Sequence, residues 1–437
     1  LFINRTPGIA SGAAITIRGV ASLESDKSFE PSIGVVMDGM FLGTSSGVLL
    51  DNFDIERIEV LRGPQGTLFG KNTTGGILNV IRTPVSLTEM GADLSLTAGE
   101  YGRQDVNAVV QIPIIQDTLG LKLFAAKVEH DGHVRNTTRN EDVGGDDKTN
   151  YGFTALWAPT DNFDLKVHYE VMEDTSVQGA YTNRNRVGEL ACTLTLIGFD
   201  PANGCEKDAN DGKDKVESDS KNFSDNEYES TIITANYDTD AFLYTYIYSQ
   251  RDMDEQNMQD FDGAPVHLLR MNFFNDWEQT SHEFRVTSQF SEKVQFIAGV
   301  YDWEADFEQR WDVYDLFYQL SRLGNPTWAP GRQGVAGYAD VFPWEDDVAG
   351  NNGQAQVTES LAVFASADWY LNEQWTLTAG FRWTEEEKDF VGGSSAPGYY
   401  PDRNEPWPGI YNPYYAKAKW TETTPKLGAR YTPTDNT

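Results

Sequence analysis

Residues 375–383 read Trp-Thr-Leu-Thr-Ala-Gly-Phe-Arg-Trp, with every odd position apolar or small and every even one polar or glycine. The same two-residue period sets Phe163, Leu165, Val167, Tyr169 and Val171 against Asp164, Lys166, His168 and Glu170. Segments 92–98 and 283–288 repeat it. Successive side chains of a strand point to opposite faces, so the pattern predicts strands with one apolar and one wet face. About 12 such strands are predicted after residue 90. Tight turns are expected at 116–118, 159–162, 238–240, 291–292, 372–373 and 433–436. Between them lie mostly long polar links, near 131–148, 176–227, 254–276, 308–355 and 391–417. A compact soluble domain rarely carries several structureless loops of that length. A transmembrane β-barrel does, with short turns on one rim and long loops on the other. Trp157, Trp369, Tyr370, Trp375, Trp383 and Tyr431 fall near the short-turn ends, where an interfacial aromatic girdle belongs.

The first 84 residues follow a different pattern. Short strands are predicted at 15–18, 33–37 and 77–81, with a helical turn running into a strand over 53–61. Asp38-Gly39 turns the chain, Gly63-Pro64 stops it and Pro84 closes the unit. Gly63, Gly66, Gly70, Gly75 and Gly76 permit sharp turns or close backbone approach. Pro64 fixes the turn after Arg62. The expected organisation is a small α/β unit at 1–84 and a barrel sheet at 85–437. Twelve strands could close by themselves, but a lumen that also holds such a unit needs about 22. About ten further strands are therefore expected beyond Thr437.

Composition narrows the class. No apolar run approaches the roughly 18 residues of a membrane helix. A barrel strand crosses with about 10 tilted residues, only alternate ones facing lipid, so a mean hydropathy of −0.49 does not oppose a barrel. The net charge is −33, and residues 1–84 hold 7 Lys/Arg and 8 Asp/Glu, leaving 27 basic and 59 acidic side chains to the rest. Such a surface repels phosphates, which argues against nucleic-acid binding. The acidity is expected on a solvated outer surface and in a polar lumen. Cys192 and Cys205, with twelve residues between them, form a candidate disulfide, two separate thiols being the alternative. Two more ligands would be needed for a tetrahedral metal site, and none lies nearby. The loop Gly70-Lys71-Asn72-Thr73-Thr74-Gly75-Gly76 lacks the Lys-Ser/Thr of a phosphate loop. No nucleophile–base–acid set stands out, so neither an enzyme nor a cofactor is expected.

The run Glu56–Gly76, ERIEVLRGPQGTLFGKNTTGG, followed by ILNVIRTP, resembles the plug signature of TonB-dependent outer-membrane receptors. Upstream, Pro7-Gly8-Ile9, Ile17-Arg18-Gly19 and Val36-Met37-Asp38-Gly39 match earlier plug elements in order and approximate spacing. Downstream, Gly99-Glu100-Tyr101-Gly102, Trp157-Ala158-Pro159-Thr160, His282-Glu283-Phe284-Arg285 and Lys426-Leu427-Gly428-Ala429-Arg430-Tyr431 look like the family's barrel strands. The resemblance covers essentially the whole chain.

It implies a receptor in the bacterial outer membrane, among lipid and lipopolysaccharide, that imports a scarce small-molecule ligand. A ferric siderophore is the expected cargo. An oligosaccharide, cobalamin or another metal complex is the alternative, and a passive porin or surface-binding barrel a further one. The TonB–ExbB–ExbD complex would pull on an N-terminal box expected before Leu1. The motif positions of Arg18, Glu59 and Arg62 imply plug–wall anchors, with a salt bridge inside the plug as the competing reading. Phe29, Phe41 and Phe53 on plug tips are candidate ligand contacts or ordinary plug core. Tyr181, Trp311, Tyr314 and Trp328 are candidate contacts from the long loops.

Overall fold

The fold is described from a computed structural model, in which residues 1–5, 12–21, 26–48, 53–177, 179, 181, 214–261, 263, 269–314, 348–395 and 410–433 are described. Cys192, Cys205 and Trp328 lie outside these residues.

The N-terminal unit holds two small sheets. Strands β1 (Phe2–Arg5), β2 (Ala13–Ile17) and β3 (Val20–Ala21) form the first. The second contains β4 (Ile33–Met37), β5 (Met40–Leu42), β6 (Ile55–Arg62) and β7 (Gly76–Arg82), in the order β5-β4-β7-β6. The segment expected to open with a helical turn at 53–61 is instead extended, entering β6 after Asp54 at φ 56°. The described helix is one turn, α1 (Gly66–Phe69), placed inside the glycine-rich motif. Gly63, Gly70 and Gly76 take positive φ there, whereas Pro64, Gly66 and Gly75, which lie between them in the chain, do not. At Gly76 a Cβ would fall 2.3 Å from the Leu61 carbonyl oxygen, so the β6–β7 pairing admits only glycine.

The rest is dominated by one antiparallel sheet of 12 strands, as the alternation predicts. It begins with β8 (Gly91–Ala98), β9 (Gln104–Ile115) and β10 (Leu119–His130). Two short strands, β11 (Val134–Asn136) and β12 (Glu141–Val143), then leave the sheet. The wall resumes with β13 (Asp146–Thr160) and β14 (Phe163–Asp174). Short β15 (Lys215–Val216) joins β11 and β12 in a three-stranded sheet. The wall continues through β16 (Phe223–Asp238), β17 (Phe242–Asp260), β18 (Arg270–Ser288) and β19 (Val294–Tyr314). It ends with β20 (Val348–Tyr370), β21 (Trp375–Ser395) and β22 (Ile410–Tyr431). Wall strands pair in chain order, and the sheet is open, with β8 and β22 at its edges. Short connections such as those after Ile115, Thr160, Asp238, Ser288 and Tyr370 share one rim; the long ones share the other.

The two faces of the wall differ chemically. From the short-turn rim the outward face is apolar, as in Phe242, Tyr244, Tyr246 and Tyr248 on β17 or Trp375, Leu377, Ala379, Phe381 and Trp383 on β21. Trp157, Trp369, Trp375 and Tyr431 are exposed beside the short turns, and Trp375 packs against Tyr431 with the rings tilted, 5.0 Å between centroids. Farther up, two successive outward rows turn acidic. In register across neighbouring strands stand Glu229, Asp252, Glu278 and Asp306, and one row higher Glu173, Glu227, Asp254, Asp276 and Glu308. Much of the net charge is thus stacked as like-signed neighbours on the outside of the wall.

Like charges directly opposite each other weaken a sheet. Glu278 sits between Asp252 and Asp306. Glu278→Gln is therefore expected to stabilise the sheet by roughly 0.2–1 kcal/mol per relieved pair. Urea midpoints at 20 mM and 500 mM salt check this, since screening should erase most of the gain.

Candidate functional site: the seam between the N-terminal unit and the wall

The N-terminal unit packs against the inward face of the wall through two apolar clusters. Ile15, Ile17, Ile33, Val35, Met40 and Leu42 meet Ile232 and Ile247. Val36, Phe41 and Ile77 meet Met172, Tyr228, Met253, Trp277, Trp303 and Phe307. Phe41 is 7% exposed, with its ring 6.4 Å from Trp303. Phe53 is equally buried, 5.9 Å from Phe124. Both rings therefore sit in the packed seam. Phe29, by contrast, is 61% exposed.

Charged pairs cross the same seam. Nearest the long-loop rim, the Lys27 ammonium lies 2.9 Å from Glu255, and the two side chains are 2% and 0% exposed. Lys27 also reaches the Ser46 hydroxyl. Tyr228 and Asn275 donate to the Glu255 oxygens at 2.6 and 2.8 Å, so the carboxylate is held on three sides. Gln309 accepts from the Lys27 amide at 3.1 Å and from Gln354 at 2.9 Å, and donates to Asn275 at 2.7 Å. Arg251 donates to the Ser46 carbonyl at 2.8 Å. Burial pushes the Lys27 ammonium below its usual pKa, with Glu255 opposing the shift.

Four more ion pairs cross from the unit to the wall, and a fifth, Lys71–Glu30, lies within the unit. Asp54 meets Lys122 at 2.6 Å, and Arg82 meets Glu170 at 2.5 Å. Glu30 lies 2.8 Å from Lys388, while Lys71 bridges Glu30 at 3.0 Å and Glu386 at 3.2 Å. Burial would raise the Glu30 pKa, but Lys71 and Lys388 outweigh it and hold the carboxyl below its usual range. Lys71 also lies 3.8 Å over the Trp303 ring.

Arg18 and Arg62 are exposed, and Glu59 is half-buried. Glu59 accepts from Arg57 at 2.8 Å and Asn79 at 2.9 Å, both within its own unit. None of the three pairs with a wall residue among the described residues. Glu59 and Arg62 lie on β6, the edge strand of its sheet. The residues that do cross were visible in the sequence only as scattered charges in a nearly neutral unit. Their partners Glu170, Glu255, Glu386 and Lys388 occupy inward positions of alternating strands, which is the signal that could have singled them out.

Toward the long-loop rim, Tyr181 packs against Phe261 with the rings tilted, 5.1 Å between centroids, and Phe261 meets Phe273 at 6.0 Å. Trp311 stands opposite Phe273 on β19, and Tyr314 ends that strand. Tyr181 and Trp311, distant in sequence, are thus brought to one aromatic patch at the rim.

An N-terminal unit locked by buried ion pairs into the concave face of a strand wall defines a plugged barrel. The chain belongs to the TonB-dependent receptor family. Residues 2–77 match the TonB-dependent receptor plug domain, and residues 174–437 the TonB-dependent receptor-like β-barrel. The pesticin receptor of Yersinia enterocolitica serotype O:8 / biotype 1B is 21% identical over 384 residues, covering 86% of this chain and 47% of that protein. The solved ferric yersiniabactin uptake receptor of Yersinia pestis superposes with a TM-score of 0.74 at 18% identity, covering 99% of this chain and 58% of its own. The siderophore receptor PiuA of Acinetobacter baumannii gives 0.69 at 14% identity, with the same coverages. The chain spans about half the length of the relatives it matches. The family consists of receptors and transporters rather than enzymes.

Proposed function

We propose that this chain is the plug and part of the wall of an outer-membrane receptor that imports a ferric siderophore with energy from TonB. The observation that carries this reading is the seam itself. A plug fixed only by apolar packing would resemble a domain core. Here charged pairs and amide networks cross the seam, with exchangeable contacts that a pulled plug can give up one at a time. The apolar outward band next to the short turns supports a place in the outer membrane, and the acidic rows above it would stand among lipopolysaccharide headgroups. Further strands would close the wall between β22 and β8. They would also give Arg18, Glu59 and Arg62 a wall to meet. The plug domain would occupy residues 1–84 and the wall 85–437.

Cargo would first meet the exposed Phe29 and the rim aromatics Tyr181 and Trp311. Iron rather than another load is favoured by the siderophore-linked names of two of the proteins it resembles. The test is growth of a deletion strain under iron limitation, complemented with the full-length receptor and supplied with single ferric siderophores. Rescue by one of them supports the reading. Unchanged growth without the receptor, across the panel, would turn the cargo toward cobalamin, oligosaccharides or another metal. Uptake that persists without TonB and its ExbB–ExbD partners would instead indicate a passive barrel.

A further inference from the structure

Nearer the short-turn rim, plug and wall leave a cavity of about 170 Å³. Gly39 and Phe69 border it from the plug, and Tyr301 and Arg382 from the wall, beside the pair Glu283–Arg285. Arg382 is 5% exposed. Its guanidinium carbon lies 5.5 Å from the Phe364 ring centre and 5.7 Å from that of Tyr301. Its Nε donates to Thr384 at 3.2 Å. The carboxylate of the cavity, Glu283, is engaged by Arg285 at 3.3 Å. Among the described residues Arg382 has no carboxylate within 4.0 Å. Gly70 of the plug motif lies flat against this guanidinium, and a Cβ there would come within 2.7 Å of Nη2.

A buried guanidinium without a counter-charge is costly unless something supplies one. A second group has the same deficit. The Tyr301 hydroxyl is buried with no hydrogen-bond partner. Ser281, itself bonded to Ser249 at 2.7 Å, lies close enough to act weakly on the phenol. Two guanidiniums against one carboxylate leave the lining net positive. The planar fork of arginine matches a carboxylate, and a phenol donates well to the same oxygens. The volume falls below the roughly 300–1,000 Å³ of a whole-ligand pocket, so it suits one carboxylate-bearing fragment.

We propose that this cavity is a carboxylate-binding subsite built from Arg382 and Tyr301. The carboxylate comes either from a free organic acid or from a group on the cargo. The test is calorimetry of benzoate and of neutral benzamide on the detergent-solubilised full-length receptor. Saturable benzoate binding is expected, with benzamide weaker by about tenfold or more, as loss of a charged hydrogen bond implies. Arg382→Gln should weaken benzoate by a similar factor. Tyr301→Phe should weaken it about 3–10-fold while moving the unfolding midpoint little, because the hydroxyl makes at most a weak contact to Ser281 in the empty protein. That second variant decides the matter should Arg382→Gln fail to fold. Equal affinity for benzoate and benzamide, or benzoate binding untouched by Tyr301→Phe, would overturn the assignment. Given a standing subsite, displacement of benzoate by ferric citrate assigns its carboxylate to cargo, and failure to displace assigns it to free acids. Benzoate carries no iron, so a negative result here leaves the uptake reading to its own growth test.

Discussion

Glu255→Gln is expected to loosen the seat of the plug by about 3–5 kcal/mol, the range for breaking a buried ion pair by removing one partner. The substitution keeps the shape of the side chain, but its amide oxygen can accept from only one of the Tyr228 and Asn275 positions, and the Lys27 ammonium is left without its counter-charge at 2% exposure. Attraction between charges in a dry site does not vanish with salt, so the loss should persist at high ionic strength. Urea titration of the solubilised receptor, followed by emission from the plug-facing Trp277 and Trp303, measures it. The double variant Lys27→Met, Glu255→Leu should recover much of the stability, because replacing both charges with apolar groups removes the desolvation cost as well. A midpoint unmoved by Glu255→Gln would show that the pair does not hold the plug.

Phe41→Ala and Phe29→Ala are expected to separate packing from ligand contact. Phe41 is wedged against Trp303 in the seam, and its truncation should cost about 3–5 kcal/mol, as for other buried phenylalanines. Phe29 is exposed, so its truncation should shift stability by no more than about 0.5 kcal/mol. Affinity for the cargo should move the other way, falling for Phe29→Ala and holding for whatever folded fraction of Phe41→Ala remains. Unfolding midpoints paired with ligand titrations test both halves. A stable Phe41→Ala receptor that no longer binds would return Phe41 to the ligand site.

The period-two alternation, the two kinds of connection and the plug motif were determined by the sequence itself. Each is local: a strand shows its neighbours' polarity within two residues, a tight turn within four, and the motif within about twenty. That is why strand β4 falls on the expected 33–37 and why five of the expected short turns join the described strands where turn residues cluster, the one at 433–436 running beyond the described residues. The helical turn was displaced from 53–61 to Gly66–Phe69 because short segments read alike until tertiary pairing claims them, and β7 claims β6.

Which charges meet was decided only in three dimensions. Lys27 and Glu255 are 228 positions apart, and their contact depends on the register of every strand between them and on how deep the plug sits. A one-residue slip would turn Glu255 to the outside, among the acids of the outward rows. The same register stacks Glu229, Asp252, Glu278 and Asp306 side by side, where the sequence showed only a dispersed excess of negative charge. Local chemistry writes the alternation, whereas long-range pairing selects the partners, since Coulomb energy depends on distance in space rather than along the chain.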